Sequence, residues 1–284
     1  MGQSMTDAPS APARTPASLD TTKPNIARVY DALLGGKDNF AADRAVAQQM
    51  IDVIAPYGDA TEGPRQIRAA LMRAVRYLAT EAGIGQFIDL GSGLPTQQNV
   101  HEVVQRYRPG ARVVYVDSDP MVLTHGRALL TRDAGTVIVT ADFHNVDQVL
   151  NHPDTRRLID FSQPVGLIMS AILHHVPDEL RPVELVAAYR DRLPEGSHLF
   201  LTHLYRNGEP GSDEIEVIFQ QSFGSLFRTA GEIEAFFTGW QILPPGLVYL
   251  PYLLPDDTVP DDPADLPIAG RANLGAIARL PPRA

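Results

Sequence analysis

The chain has 284 residues, of which 44% are hydrophobic, so it is long and apolar enough to bury the core of one large or two small domains. It contains no cysteine, which excludes disulfides, thiolate nucleophiles and cysteine metal ligands and fits a reducing compartment. The net charge of −10 opposes binding to nucleic-acid phosphates, and no apolar run reaches the roughly 20 residues of a membrane helix. Since no secretory leader precedes residue 24, we expect a soluble, cytoplasmic protein without nucleic-acid or membrane partners.

The first part of the chain is predicted to be a disordered tail followed by helices. Residues 1–23 are rich in Ala, Pro, Ser and Thr, a composition that predicts disorder. Apolar residues then recur at helical spacing, beginning after Asn25, a suitable N-cap, and stopping at a double glycine at 35–36. The predicted helices cover residues 26–34, 41–54 and 64–78. We interpret residues 24–82 as a helical cap or lid that is continuous with a main domain at 83–284.

The most informative stretch is residues 86–119, where a glycine turn and a helical pattern separate two apolar runs. The first run ends at Gly91-Ser92-Gly93, and the second ends at Asp117. Strand, helix and strand in this order form a parallel βαβ unit, whose ligands bind beyond the carboxyl ends of the strands. The glycines allow a tight turn and a close ligand, and the Asp117 carboxylate can accept hydrogen bonds from both hydroxyls of a ribose.

Two later strands are predicted to end at the same edge of the sheet. The apolar run 136–140 precedes Asp142 and Phe143, which suit an adenine amino group and an adenine ring, although Asp is also common in caps and Phe in cores. The run 165–169 precedes a loop that contains His174 and borders the topological switch point of the sheet. Because the pKa of histidine lies near neutrality, His174 is either a general base toward an acceptor or a structural hydrogen-bonding residue.

Other site chemistries are less well supported by the residues. Thr96 stands where the dinucleotide fingerprint G-x-G-x-x-G has its third glycine, which disfavours NAD or FAD. His174 and His175 lack H-x-x-x-H spacing and a carboxylate partner at helical distance, so we predict no metal ion. The phenylalanines between residues 219 and 237 either line a substrate pocket or pack in the core.

Two motifs resemble a known family. Asp89-Leu90-Gly91-Ser92-Gly93 resembles the first motif of class I S-adenosylmethionine-dependent methyltransferases, with Asp117 as their ribose-binding acid and residues 141–143 as their adenine-binding turn. The run at 27–40, Ala-Arg-Val-Tyr-Asp-Ala-Leu-Leu-Gly-Gly-Lys-Asp-Asn-Phe, is similar to the N-terminal block of an actinobacterial family of such proteins known mainly as a domain of unknown function. The resemblance covers about residues 24–282. It implies an α/β, doubly wound, mostly parallel seven-stranded sheet of Rossmann-like type with an N-terminal helical cap.

The resemblance also implies a ligand and its contacts. The expected cofactor is S-adenosylmethionine, with S-adenosylhomocysteine as its product, and the block around Tyr30 is expected to close over it as a lid. The residues expected to bind the cofactor are Tyr30, Asp89, Gly91, Ser92, Gly93, Asp117, Ser118, Asp142, Phe143, Ser170 and Ala171. His174 is the candidate catalytic residue.

Three functions remain compatible with these residues. The leading hypothesis is a methyltransferase that moves the sulfonium methyl group to an oxygen, nitrogen or carbon of a small molecule, mainly by positioning the reactants. The first alternative is a non-catalytic sensor or regulator that binds S-adenosylmethionine or S-adenosylhomocysteine. The second is a nicotinamide-dependent oxidoreductase. The acceptor and the oligomeric state stay open, with a homodimer as one alternative.

Overall fold

The computed structural model describes residues 20–94, 99–119, 121–124 and 134–282. The predicted disorder of residues 1–23 lies mostly outside these residues, and so does Thr96, at which the sequence departs from the dinucleotide fingerprint.

A central sheet forms where the apolar runs were predicted. Its strands are β1 (Gln86–Leu90), β2 (Arg112–Asp117), β3 (Thr136–Thr140), β4 (Gly166–Ser170), β5 (His198–Leu204), β6 (Gln241–Ile242), β7 (Val248–Tyr249) and β8 (Asn273–Arg279). Their order is β3-β2-β1-β4-β5-β8, with β6 and β7 both paired to the outer edge of β8. The strands β1 to β5 pair in parallel, whereas β8 is antiparallel to all its neighbours. The predicted mostly parallel sheet is confirmed.

The last position of the sheet is divided between two short strands. β6 pairs with residues 278–279 at one end of β8, and β7 pairs with residues 274–275 at the other. Between β6 and β7 lie Pro244 and Pro245, which have no backbone N–H to donate to a strand ladder. The sheet therefore has seven positions, as expected, but eight strands.

The helices of the described residues are α1 (Ile26–Leu33), α2 (Ala41–Ile54), α3 (Glu62–Thr80), α4 (Val100–Tyr107), α5 (Val146–Leu150), α6 (Pro153–Leu158), α7 (Pro182–Arg192), α8 (Ser212–Phe223) and α9 (Ala230–Glu234). Asn25 is the N-cap of α1, as predicted, because its side-chain oxygen accepts from the backbone N–H of Ala27 at 2.9 Å. A short 3₁₀ helix at Asp178–Leu180 precedes α7, which begins at Pro182. Arg181 has a left-handed φ of 51°, which separates α7 from a short 3₁₀ turn.

The sheet carries a core on each face, because successive side chains of a strand point to opposite sides. Ile88 and Leu167 pack on the face covered by α7 and α9. Phe87 and Ile168 pack on the face covered by α3 and α4. β3 lies at the sheet edge and is only partly buried, although its three central residues are apolar. Helices on both faces confirm the doubly wound arrangement.

The first two helices pack away from the sheet. Val29 and Met50 form a small separate core with Phe219 of α8. Arg28 and Asp43 join α1 to α2 through a buried ion pair, with Nε and Oδ2 2.9 Å apart. α3, by contrast, packs directly on the sheet. Within the proposed N-terminal cap, α1 and α2 are therefore the helices that are separate from the sheet.

Candidate functional site

The carboxyl ends of β1, β2 and β4 and the turn after β3 surround a cavity of about 300 Å³, which we call the strand-end cavity. Its opposite wall comes from α1 and α3. The residues expected to bind the cofactor that line this cavity are Tyr30, Gly91, Ser92, Gly93, Asp117, Ser118, Phe143, Ser170 and Ala171. The structure thus brings most of the expected residues together, whereas Asp89 and Asp142 do not line the cavity.

Two glycines shape the turn after β1 for different reasons. Gly91 has a φ of 64°, and a Cβ added there would lie 2.5 Å from Cγ2 of Ile172. Gly93 has a φ of 67°, and an added Cβ would have nothing within 4 Å. Gly91 therefore lets the loop after β4 approach closely, while Gly93 provides the left-handed turn and leaves space beside the cavity.

Asp117 is held by backbone N–H groups at the end of β2. Its Oδ2 accepts from the backbone N–H of Gly93 at 2.9 Å, and its Oδ1 accepts from that of Asp119 at 2.9 Å. Burial raises the pKa of Asp117, and these N–H groups act against that rise. Each carboxylate oxygen keeps a further lone pair, so Asp117 can still accept hydrogen bonds from ligand hydroxyls.

Asp89 is a buried carboxyl group beside the cavity rather than part of its wall. Only 5% of the residue is exposed. Burial is the main cause that raises the pKa of Asp89 to about 7; the positive charge of Arg68 opposes this rise and the nearby Asp117 adds to it. Direct contact between Asp89 and a cofactor therefore stays a prediction.

The turn after β3 presents an aromatic ring to the cavity. Phe143 lines the wall and stacks on His144, with ring centroids 4.3 Å apart. Its carbonyl oxygen accepts from the hydroxyl of Tyr189 at 2.7 Å, which anchors the turn to α7. The Asp142 carboxylate instead accepts from the backbone N–H of His144 at 3.0 Å. Its expected contact with adenine stays a prediction.

The α1 side of the cavity contains polar residues, of which Tyr30 was expected as a cofactor contact, whereas Asn25 and Arg68 were not. The Asn25 amide donates to Oδ2 of Asp119 at 2.8 Å, which joins α1 to the end of β2. Tyr30 donates its hydroxyl proton to the carbonyl of Pro64 at 2.6 Å, and burial raises the pKa of Tyr30. Arg68 of α3 also lines the cavity. Asp119, two residues after Asp117, was a sequence signal for the contact with Asn25, whereas Asn25 itself was already explained by its capping role.

The loop between α1 and α2 is organised by the Asp31 carboxylate. Its Oδ2 accepts from the backbone N–H of Asp38 at 2.8 Å and from the amide of Asn39 at 2.9 Å. A Cβ at Gly36 would lie 1.9 Å from Oδ1 of Asp31, so only glycine allows this approach. Several residues of the N-terminal block therefore shape the loop. The lid role of the block stays a prediction.

A second cavity of about 150 Å³, which we call the histidine cavity, adjoins the first. Tyr30, Ala171 and His175 line both cavities. His174 lines only the histidine cavity. Of the phenylalanines between residues 219 and 237, those that line it are Phe219 and Phe227. The others include the core residues Phe236 and Phe237, so both interpretations of the phenylalanine cluster apply in part.

His174 is buried and electrically neutral near pH 7. Burial holds the pKa of His174 well below its usual value, and His175, His203 and Arg228 lower it further. Its Nδ1 is buried and has no hydrogen-bond partner within the described part of the chain. A neutral ring nitrogen without a partner can accept a proton or a hydrogen bond from a ligand, so both expected roles remain possible.

Arg228 holds the loop after β4, and the sequence analysis missed it. Its guanidinium donates to the carbonyl of Leu173 at 3.1 Å and to that of Val176 at 3.0 Å. It also contacts Nε2 of His203 at 2.9 Å and pairs with Asp178 at 2.6 Å. Arg228 lies more than 50 residues beyond that loop in the sequence, so no local pattern could have indicated these contacts.

The described residues contain neither a metal-binding cluster nor a helix suited to a membrane. Within residues 20–94, 99–119, 121–124 and 134–282, no group of three or more His, Asp or Glu side chains is arranged to hold a metal ion. No helix in this part of the chain is both long and apolar enough to cross a membrane.

The comparisons with known proteins agree with this geometry. The chain matches the model of a family described as S-adenosyl methyltransferase over residues 12–279. A crystal structure of a candidate methyltransferase from Thermobifida fusca YX is 46% identical, with a TM-score of 0.87 over 95% of this chain and 100% of that one. A DUF574 family protein from Streptomyces avermitilis MA-4680 is 36% identical, with a TM-score of 0.85 over 92% and 99% of the two chains. None of the curated proteins compared with the chain matches it.

Because the family model spans nearly the whole chain, the protein belongs to the S-adenosyl methyltransferase family, whose cofactor is S-adenosylmethionine.

Proposed function

We propose that the protein transfers the sulfonium methyl group of S-adenosylmethionine to a small-molecule acceptor. The observation that carries this proposal is the junction of the strand-end cavity with the histidine cavity at Tyr30, Ala171 and His175. Methyl transfer requires two ligands in contact, and these cavities offer two adjoining sites. A sensor needs a site for the cofactor alone, so the histidine cavity favours the enzyme over that alternative.

The residues of the strand-end cavity fit S-adenosylmethionine. Asp117 offers carboxylate oxygens for ribose hydroxyls, and the ring of Phe143 offers a flat apolar surface for adenine. The Ser170 hydroxyl is buried without a hydrogen-bond partner among the described residues, so a polar ligand group can satisfy it. Gly91 and Gly93 leave the backbone accessible to the amino-acid part of the cofactor.

The protein's own contribution to the reaction is positioning, exclusion of water and removal of a proton. The bound cofactor supplies a methyl group made electrophilic by the positively charged sulfur. α1 and α3 cover the cavity opposite the strand ends and so limit access of water. His174 is neutral near pH 7, and its free Nδ1 can accept a proton from an acceptor hydroxyl or amine.

Calorimetric titration with S-adenosylmethionine, S-adenosylhomocysteine and NAD tests the proposal. We expect micromolar binding of the first two ligands and no binding of NAD. Asp117→Ala should weaken both by at least about tenfold, because hydrogen bonds to a charged group are among the stronger contacts in a site. Asp257→Ala is a suitable control, since Asp257 is exposed and lies outside both cavities.

Turnover is tested by incubating the protein with methyl-labelled cofactor and a panel of small acceptors. Transfer of the label to an acceptor, reduced in Asp117→Ala but not in Asp257→Ala, is the expected result. Absence of binding to both S-adenosyl ligands would contradict the proposal. Binding that is never accompanied by transfer would favour the sensor.

A further inference from the structure

The histidine cavity has walls that suit an apolar ring. It is enclosed by side chains from α1, α2, α3 and α8 and from the segments next to β5 and β8. The apolar residues that dominate its wall include Leu33, Met50, Ile54, Ile67, Phe219 and Phe227. Ligand sites of this kind gain affinity from the burial of apolar surface and take their specificity from a few polar groups.

The volume of the histidine cavity limits what it can hold. At about 150 Å³ it matches the size of an apolar protein cavity that accommodates one benzene molecule. A single six-membered ring with small substituents therefore fits, whereas a fused bicyclic ring would have to extend into the strand-end cavity. Tyr30, Ala171 and His175 line both cavities and mark the side on which a substituent can reach the strand-end cavity.

Two residues of the wall each carry a buried polar atom that has no hydrogen-bond partner within the described residues. These atoms are Nδ1 of His174 and Oδ1 of Asn273, in residues that are 3% and 4% exposed. Buried polar atoms in native proteins are nearly always hydrogen-bonded, so two unpaired atoms in residues of one cavity wall point to a ligand with polar hydrogens. An amide oxygen can only accept, which requires an O–H or N–H group on the ligand.

The wall offers no free charge to an ionic ligand. Glu209 is the charged residue among the described residues that line the cavity, and it pairs with Arg271 at 2.9 Å. Burial lowers the pKa of His175 to about 4, and its Nδ1 is already 2.6 Å from the hydroxyl of Ser225. An ionised acceptor would lose its hydration in this cavity without gaining a counter-charge.

We infer that the acceptor is an uncharged, single-ring hydroxy- or amino-arene, and that Asn273 recognises it by accepting one of its polar hydrogens. This inference rests on the proposed function. In the transfer, the acceptor oxygen or nitrogen forms a bond to the methyl carbon as the carbon–sulfur bond breaks. The acceptor proton passes to Nδ1 of His174, and S-adenosylhomocysteine leaves as a neutral thioether.

Binding of simple arenes to the complete protein, saturated with S-adenosylhomocysteine, tests the inference by calorimetry. The probes are phenol, aniline, toluene, benzoate and 2-naphthol. We expect phenol and aniline to bind with a dissociation constant below about 1 mM. Toluene has the same ring but no polar hydrogen, benzoate is anionic, and 2-naphthol is too large, so each should bind at least about tenfold more weakly.

Asn273→Leu distinguishes recognition from a merely structural role. Leucine has a similar size but no acceptor, so phenol should bind at least about tenfold more weakly while toluene binds more tightly than in the wild type. Asn151→Leu, at an exposed position outside both cavities, should leave all probes unchanged. If Asn273→Leu does not fold, Ala269→Phe fills the cavity from its wall and should exclude phenol while S-adenosylhomocysteine still binds.

The outcomes separate the two proposals. Binding of S-adenosylhomocysteine together with a preference for benzoate, toluene or 2-naphthol over phenol would overturn the acceptor class and leave the proposed function standing. Equal phenol affinity in the wild type and in Asn273→Leu would remove Asn273 as the recognising residue. Failure of S-adenosylhomocysteine to bind would overturn the proposed function and this inference with it.

Discussion

At the scale of single residues, the candidate site depends on a histidine that its surroundings keep neutral. Burial and the neighbouring His175, His203 and Arg228 all lower the pKa of His174. A base of lowered pKa is a weak one, but it is unprotonated throughout the neutral range and always available to accept a proton. The loop that carries it is fixed by Arg228, so its ring needs little rearrangement to meet an acceptor.

His174→Ala should lower turnover of a confirmed acceptor by about 10²- to 10⁴-fold and leave S-adenosylhomocysteine affinity unchanged, because His174 lies outside the strand-end cavity. The wild-type pH–rate profile should also lack an acidic limb near pH 6.5, since the His174 pKa lies well below that value. Steady-state kinetics between pH 5.5 and pH 8 measure both effects, with His152→Ala as a control outside the cavities. Unchanged turnover in His174→Ala would assign the residue a structural role.

At the scale of elements, α1 contributes to the wall of the strand-end cavity, and its packing on α2 depends on one buried carboxylate. Asp43 accepts from Nε of Arg28 at 2.9 Å, from the backbone N–H of Asn25 at 2.9 Å and from that of Phe40 at 2.8 Å. The two helices have only a small core with α8, so this network is a large part of what orients them.

Asp43→Ala should destabilise the protein by about 3–5 kcal/mol, because it leaves the buried Arg28 charge without its carboxylate partner. Hydrogen exchange should show the loss of protection in α1 and α2, while the strands of the sheet stay protected. Asp52→Ala removes an exposed carboxylate from the same helix and should have little effect. Loss of protection spread evenly over the sheet would show that α1 and α2 do not unfold separately.

The elements that could be predicted are those specified by local sequence. The strand ends were predictable because Gly91, Gly93 and Asp117 follow short apolar runs, and α1 because Asn25 precedes a helical stripe. The start of α7 was not, because it depends on the left-handed conformation of Arg181. Asn273 was beyond local prediction too, since antiparallel pairing of β8 with β5 brings it to the site.

At the scale of the whole molecule, positive charge is concentrated in one groove, and hydrogen bonds to the backbone hold part of it in place. The chain carries −10 net, yet Lys37, Arg65, Arg73 and Arg106 line one open groove beside α3. Part of this charge is structural, because Arg73 donates to the carbonyls of residues 250 and 253 at 2.8 and 3.0 Å. The arginines of α3 therefore do not simply form a solvated helix face.

The stability of the whole protein should depend on pH through buried groups whose pKa values shift in opposite directions on folding. The folded state keeps the Asp89 proton up to about pH 7, whereas an ordinary carboxyl group loses its proton near pH 3.8. The stability that Asp89 contributes is therefore fully present below pH 3.8 and is lost as the pH rises to about 7. Burial lowers the pKa of His175 to about 4 and that of His203 to about 3. Their contribution is full above 6.5 and is lost as the pH falls through the acidic range.

Between about pH 4 and 6.5 the two histidines change the free energy of unfolding more than the single Asp89 does, so the stability should rise with pH. Between 6.5 and 7 the contribution of Asp89 is the one of these three that still changes, so the stability should fall. Asp89→Asn replaces the neutral carboxyl by an amide that cannot ionise. Relative to the wild type it should gain stability progressively from about pH 4 to pH 7, by at most roughly 4 kcal/mol, and no more above pH 7. Urea unfolding midpoints from pH 5 to pH 8 measure this difference. A difference that stays constant over that range would mean that Asp89 is ionised in the folded protein throughout, with Arg68 outweighing its burial.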